Sequence, residues 1–176
     1  TVIPEYAENN TGQVPAQSDY DDMGVTGVTP DNIDAVNDAL ASPNVTGEHA
    51  DTPEEVQAIV EAYQDILDEA NGADGDETPT DPSIEDYTTV GANAPVDDEA
   101  LQLVNEAIDE LEDADVDTID ELNDIIGAAN NVIDGTADVA DMEELGITGV
   151  TPDNLDEVLD DVAEQLQTEE GLGGQD

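Results

Sequence analysis

The chain contains 176 residues, of which 49 are Asp or Glu and none is Lys or Arg, so its formal net charge is −49 at pH 7. Nucleic acids and anionic membrane surfaces are bound mainly through Lys and Arg, which excludes nucleic acid as an expected partner. The apolar runs are far shorter than the ~20 residues needed to span a bilayer, so no membrane insertion is expected.

The unbalanced charge also predicts the surroundings of the protein. Its carboxylates repel one another, and no Lys or Arg is present to pair with them. At about 1 M salt the screening length falls to roughly 3 Å, which would relieve this repulsion. A chain without Lys or Arg also offers no cleavage site to trypsin-like proteases. We therefore expect a halophilic or marine, extracellular protein at the cell surface.

Residues 1–17 are predicted to form an extended arm, because Pro4, Gly12 and Pro15 interrupt any helical period. The arm has apolar side chains to bury, at Val2, Ile3, Tyr6 and Val14. Terminal segments of this composition are usually disordered unless they are tied down. Either this arm or the C-terminal tail is expected to dock on a neighbouring copy of the chain, over its incomplete last unit, and so contribute to head-to-tail self-assembly.

An internal duplication follows the arm. Residues 26–32 (TGVTPDN) recur unchanged as residues 148–154, and each copy precedes a helical pattern of apolar residues. Thr29 and Thr151 are predicted as the N-caps of these helices. A diverged third copy lies between them, with Asp97 as its predicted cap.

Two further helices begin with a capping box, in which Thr is followed three residues later by Glu: Thr52 with Glu55, and Thr118 with Glu121. Apolar residues follow each box at helical spacing. The sequence therefore predicts an all-α fold of tandem small three-helix-bundle modules, since three amphipathic helices can close around one core. The predicted segments are module 1 at 18–72, an acidic linker at 73–82 and module 2 at 83–135.

The last unit, predicted at 136–168, is an incomplete module, because only a flexible tail at 169–176 follows its middle helix. A unit of two helices buries too little apolar surface to be stable alone. Its cover could come from the preceding module, a further repeat, or another copy of the chain. The apolar side chains to be covered include Met142, Leu145, Leu155, Val158, Val162 and Leu166.

Asp113, Asp115 and Asp117 have the alternating spacing of a Ca²⁺-binding loop, but Thr118 stands where such a loop needs glycine. The preferred interpretation is a helix cap formed by Asp117 and Thr118, with weak Ca²⁺ binding as the alternative. No other cofactor is expected. His49 is the single histidine and cysteine is absent, so neither a zinc site nor a catalytic constellation is expected, and we predict that the protein is not an enzyme.

Residues 145–155 (LGITGVTPDNL) and 51–62 (DTPEEVQAIVEA) resemble the GA-like three-helix repeats of very large bacterial surface proteins and adhesins. The resemblance implies an extracellular spacer or adhesion role without catalysis. The sequence analysis thus favours a structural subunit that assembles into a surface filament, or a rod segment of an adhesin, with itself or another surface protein as partner. The alternative is a monomeric helical binding module that recognises a host or partner protein.

Overall fold

The structure is a computed structural model that describes residues 2–9, 12–70 and 81–170. Within these ranges it contains nine α-helices and no strand, which confirms the predicted all-α class. Two 3₁₀ turns, Gly47–His49 and Asp113–Asp115, complete the regular elements. The helices are α1 (Val2–Asn9), α2 (Gln17–Met23), α3 (Ile33–Ala41), α4 (Pro53–Ala70), α5 (Ile84–Thr89), α6 (Asp98–Asp109), α7 (Ile119–Asp134), α8 (Val139–Glu144) and α9 (Leu155–Glu170).

Contacts within the chain define two compact units. Unit 1 consists of Thr1–Ala94 and Ile108–Asn123, and unit 2 of Pro95–Ala107 and Asp124–Asp176. Two of the three boundaries fall within α6 and α7, and the third lies between α5 and α6, whereas the predicted boundaries fall between modules. The tandem arrangement of three-helix modules is therefore not confirmed. Most of the predicted linker, and all of the predicted tail beyond the end of α9, lie outside the described residues.

The core of unit 1 is built around buried tyrosines. Tyr20 donates a hydrogen bond from its hydroxyl to Asn37 Oδ1 at 2.6 Å, and Tyr63 donates to the Val116 carbonyl at 3.0 Å. Burial of a phenol is favourable when its O–H finds a partner, as it does in both cases. Helix α4 packs against α3 and α5 within this unit. Three of the four tyrosines, Tyr20, Tyr63 and Tyr87, thus lie in the core of unit 1, whose other apolar side chains are aliphatic.

Residues 2–9 are helical, so the prediction of an extended arm over residues 1–17 was wrong for this part, whereas residues 12–16 have no regular secondary structure. Helix α1 packs against α2, α3 and the first 3₁₀ turn, and it buries Ile3 and Ala7 on one face. Pro4 is tolerated because the first N–H groups of a helix have no intrahelical acceptor. Glu8 accepts a hydrogen bond from the Gly47 N–H at 3.1 Å.

This packing changes the expected role of the apolar arm residues. Ile3 is 1% exposed within unit 1, while Val2 and Tyr6 are partly exposed. Val14 is 55% exposed and belongs to the segment between α1 and α2. Ile3 is therefore already buried by its own chain, and only the other three side chains present apolar surface to solvent.

Unit 2 buries apolar residues from α6 to α9. It joins the helices of the predicted incomplete module, α8 and α9, to parts of α6 and α7. The preceding part of the chain thus supplies some of the cover that the last two helices require. The buried apolar residues are Ala100, Leu103, Val104, Ala107, Ile125, Ile126, Ala128, Ala129, Val132, Ala137, Met142, Leu145 and Leu166.

The predicted capping boxes are confirmed. Thr52 donates from its N–H to Glu55 Oε2 at 3.1 Å, and the Glu55 N–H donates to Thr52 Oγ1 at 3.3 Å. The same reciprocal pair joins Thr118 and Glu121. Asp97 also caps α6 as predicted, because its Oδ1 accepts from the Ala100 N–H at 2.9 Å. These bonds satisfy N–H groups that a helix start leaves unpaired.

Candidate functional site

The acidic residues predicted as a Ca²⁺ alternative lie at and beside a 3₁₀ turn. Asp115 accepts a hydrogen bond from the Glu112 N–H at 3.2 Å, which closes the turn. Burial raises the pKa of Asp117, and the nearby carboxylates of Glu121, Asp34 and Asp38 raise it further. In residues 2–9, 12–70 and 81–170, no group of three or more His, Cys, Asp or Glu side chains could hold a metal ion.

His49 has a local role in the other 3₁₀ turn. The Thr46 N–H donates to its Nδ1 at 3.2 Å, across the turn that His49 ends. The Thr46 hydroxyl also lies 3.3 Å from the same nitrogen. The imidazole is thus used in a turn-closing contact with the backbone.

Glu69 is the one buried acidic residue among the described residues. It lies near the end of α4 and is 6% exposed. Burial raises its pKa from 4.5 to about 7, and the charges of Asp81 and Asp109 add to this shift. All of these groups belong to unit 1. Ionisation of Glu69 therefore opposes folding, because the carboxylate loses water and faces two like charges.

Substitution of Glu69 by Gln is expected to stabilise the protein at about pH 8 by about 1–2 kcal/mol, less than the whole pKa shift because solvent partly screens this carboxylate, and to change little at about pH 4.5. The contribution of the native residue is fully present below its ordinary pKa and is lost as the pH rises through about 7, whereas Gln does not ionise. Urea denaturation across this pH range measures the difference. Exposed Glu61 provides the control, since E61Q removes the same net charge from the same helix. Equal effects of E69Q and E61Q would contradict the assignment.

Three short helices, α2, α5 and α8, end in the same way. Gly24, Gly91 and Gly146 follow them with φ values of 88°, 88° and 72°. In each case the next residue donates its N–H to the carbonyl five residues earlier, at 2.8–3.0 Å, as in a Schellman motif. The accepting residues are the buried Tyr20, Tyr87 and Met142. The three units predicted from the sequence repeat thus share one local backbone geometry.

The duplicated heptapeptide also has one geometry in both copies. We call residues 26–32 the first loop and residues 148–154 the third loop, because they belong to the first and the third of the predicted repeat units. Asn32 Oδ1 accepts from the Thr29 N–H at 2.8 Å, and Asn154 Oδ1 accepts from the Thr151 N–H at 2.6 Å. Each Asn amide also donates to the glycine carbonyl five residues earlier, at 2.9 and 3.2 Å. The loop is therefore shaped by its own side chains.

Thr29 has the hydrogen bonds of the predicted cap: its Oγ1 accepts from the Asp31 N–H at 3.3 Å, and its carbonyl accepts from the Ile33 N–H at 3.0 Å. The Thr151 carbonyl accepts from the Leu155 N–H at 3.0 Å in the same way. The regular helices α3 and α9 begin one turn later, at Ile33 and Leu155. Asn32 is the residue directly before α3. The importance of the asparagines was missed, although their identity in both copies of the heptapeptide was visible in the sequence.

The first loop is covered by α4. Gln57 accepts from the Thr26 N–H at 2.9 Å and donates back to the Thr26 carbonyl at 3.2 Å. Gln64 accepts from the Asn32 amide at 3.0 Å. Val60 Cγ1 lies 3.5 Å from the position that a Cβ on Gly27 would occupy. These contacts leave Val28 only 6% exposed and Asn32 4% exposed.

The third loop has no such cover among the described residues. Thr148 is exposed, and Val150 and Asn154 are partly exposed. No described atom lies within 4 Å of the position that a Cβ on Gly149 would occupy. The two identical heptapeptides therefore differ in their surroundings and agree in their internal geometry.

Helix α9 extends this exposed region. Leu155, Val158 and Val162 are partly exposed, whereas Met142, Leu145 and Leu166 are buried within the chain. We call Leu155, Val158 and Val162, together with the third loop, the uncovered face. A groove of about 290 Å³ lies beside it in unit 2, lined by Gln102, Leu103, Glu106, Ile147, Val162, Gln165 and Leu166. Of the predicted assembly residues in the last unit, three thus remain accessible.

Comparisons with known proteins found no relative of this chain: no family model, curated protein or solved structure matches it. Within the described ranges, no helix combines the length and the apolar character needed to cross a membrane. The GA-like resemblance remains a prediction from the sequence.

Proposed function

We propose that the protein is an extracellular, non-catalytic structural protein whose copies associate through the uncovered face. In this proposal it forms the subunit of a surface filament or a rod segment of an adhesin, built from tandem three-helix modules of which the last is incomplete. The observation that carries the proposal is the partial exposure of Leu155, Val158 and Val162 on one helix of a chain that carries a charge of −49.

Apolar contact is the force that such an assembly would use. Identical copies repel one another electrostatically, and no Lys or Arg is present to form ion pairs between them. Burial of apolar surface is worth roughly 25 cal/mol per Å² and is insensitive to charge sign. Association is therefore expected only where salt or divalent cations screen the carboxylates, as in saline surroundings outside the cell.

A binding module is the second candidate, because the same face could receive a host or partner protein. The two candidates differ in the behaviour of the purified chain. An assembling subunit forms oligomers or fibres without any other component, whereas a binding module stays monomeric at every salt concentration.

Electron microscopy of the purified chain at about 1 M NaCl is expected to show fibres of uniform width. The double substitution V158Q/V162Q should abolish them, since it removes apolar surface without adding charge. A matched control is V14Q/V96Q, which changes two valines that are 55% and 54% exposed but lie outside the uncovered face. Fibres that persist in V158Q/V162Q, or particles that remain monomeric throughout, would contradict the proposal.

A further inference from the structure

The way in which α4 holds the first loop provides a template for what the third loop can bind. Gln57, Val60 and Gln64 occur on α4 at intervals of three and four residues, which places them on one face of the helix. Gln57 holds the backbone of Thr26 through both its oxygen and its nitrogen, and Gln64 holds the Asn32 amide.

Helix α7 uses the same arrangement. Asn123 and Asn130 follow the capping Thr118 at the same spacing at which Gln57 and Gln64 follow the capping Thr52. Asn123 Oδ1 accepts from the Asn93 N–H at 2.7 Å in unit 1. Asn130 Oδ1 accepts from the Val96 N–H at 2.9 Å in unit 2. Two amides seven residues apart on a helix thus hold the chain before α6, as two amides hold the chain before α3.

The third loop has the same backbone groups as the first loop, but no described helix holds it as α4 holds the first loop. Thr148 corresponds to Thr26 and Asn93, because it also lies six residues after the buried residue of the short helix. Among the described residues, no side chain accepts a hydrogen bond from the Thr148 N–H. The loop nevertheless keeps the internal hydrogen bonds of the first loop, so it is formed before any helix is bound.

We propose that the third loop and α9 form a receptor for a helix of the α4 type, supplied by a neighbouring polypeptide of the assembly. The helix would present two amide side chains seven residues apart with a branched aliphatic residue between them. This inference rests on the proposed function, because it names the occupant of the uncovered face.

The chemistry of the receptor favours amides over charged side chains. One amide group accepts from a backbone N–H and donates to the carbonyl of the same residue, as Gln57 does with Thr26. A carboxylate could not donate, and it would add to the repulsion from the acidic exposed side of α9. Two turns of helix separate the amides by roughly 10 Å, which fixes the register of the bound helix on the loop.

A fluorescently labelled peptide of residues 51–70, which contains the whole of α4, tests the proposal directly. Anisotropy is measured while the full chain is titrated into the peptide at about 1 M NaCl, where repulsion between the two is screened. We expect saturable binding at one peptide per chain. V150D in the full chain should weaken the binding at least tenfold, and V14D, at a valine outside the receptor, should leave it unchanged.

A second peptide with Gln57→Ala and Gln64→Ala tests the role of the amides, and we expect its affinity to fall about tenfold. Absence of saturable binding, or equal binding to the V150D chain, would overturn the receptor. Equal affinity of the two peptides would overturn recognition by amides. Light scattering of the chain without peptide separates the two proposals. If the chain associates but does not bind the peptide, the receptor proposal is wrong and self-assembly stands. If it binds the peptide but does not associate, the proposed self-assembly is wrong and the receptor stands.

Discussion

Raising the NaCl concentration from about 0.02 M to about 1 M is expected to raise the thermal unfolding midpoint by about 10–15 °C. The folded chain confines a net charge of −49 with no Lys or Arg to offset it, whereas unfolding lets the charges separate. The screening length falls from tens of ångströms at low salt to roughly 3 Å at about 1 M, so most of this repulsion disappears. The gain in folding free energy is on the order of 3–5 kcal/mol.

Circular dichroism melts across NaCl concentrations measure this effect. Sucrose at matched osmolality is the control for solvent exclusion, because it strengthens burial without screening charge. CaCl₂ and MgCl₂ at matched ionic strength test the Ca²⁺ alternative at Asp113, Asp115 and Asp117. A stabilisation by Ca²⁺ beyond that of Mg²⁺ would favour a specific site, and a midpoint that does not change with NaCl would contradict the electrostatic account.

Gly91→Ala is expected to lower the free energy of unfolding by about 3–5 kcal/mol. Gly91 has a φ of 88°, which disfavours any side chain, and an added Cβ would lie 2.6 Å from Ser42 Oγ and 2.8 Å from Val45 Cγ2. Its carbonyl also accepts hydrogen bonds from the Ser42 hydroxyl at 2.7 Å and the Asn44 amide at 3.0 Å. Ser42 and Val45 would have to move to make room for the added Cβ, and this movement would disturb the hydrogen bonds to the Gly91 carbonyl.

Gly24→Ala is the matched control for this substitution. Gly24 closes α2 as Gly91 closes α5, also with a φ of 88°, but no described atom lies within 4 Å of its added Cβ. Its loss should be about 1–2 kcal/mol, from backbone strain alone. Urea denaturation of both variants gives the difference, and equal losses would show that the contact with Ser42 and Val45 is not restrictive.

The elements that could be predicted from the sequence are those specified by local chemistry. Thr52 and Thr118 begin their helices as predicted, because each capping box is complete within four residues. Asp97 caps α6 for the same reason. The duplicated heptapeptide was recognised from sequence identity, and its hydrogen bonds in the structure are also local.

The elements that were missed depend on contacts between distant residues. In helix α1, Val2 and Tyr6 lie four residues apart, as do Ile3 and Ala7, but eight residues are too few for a stable isolated helix. Its formation relies on packing against α2 and α3. Glu69 is one of several acidic residues of α4, and it is buried because it lies on the face of the helix that packs against the rest of the chain. The pairing of Gln57 with Thr26 joins residues 31 positions apart, which no local pattern encodes.

The molar mass of the purified chain at about 1 M NaCl, measured by light scattering with size separation, tests the uncovered face most directly. We predict a mass well above that of one chain, which falls to that of one chain in V158Q/V162Q and not in V14Q/V96Q. A monomeric mass for the unsubstituted chain, or the same mass for both double variants, would contradict association through Leu155, Val158 and Val162.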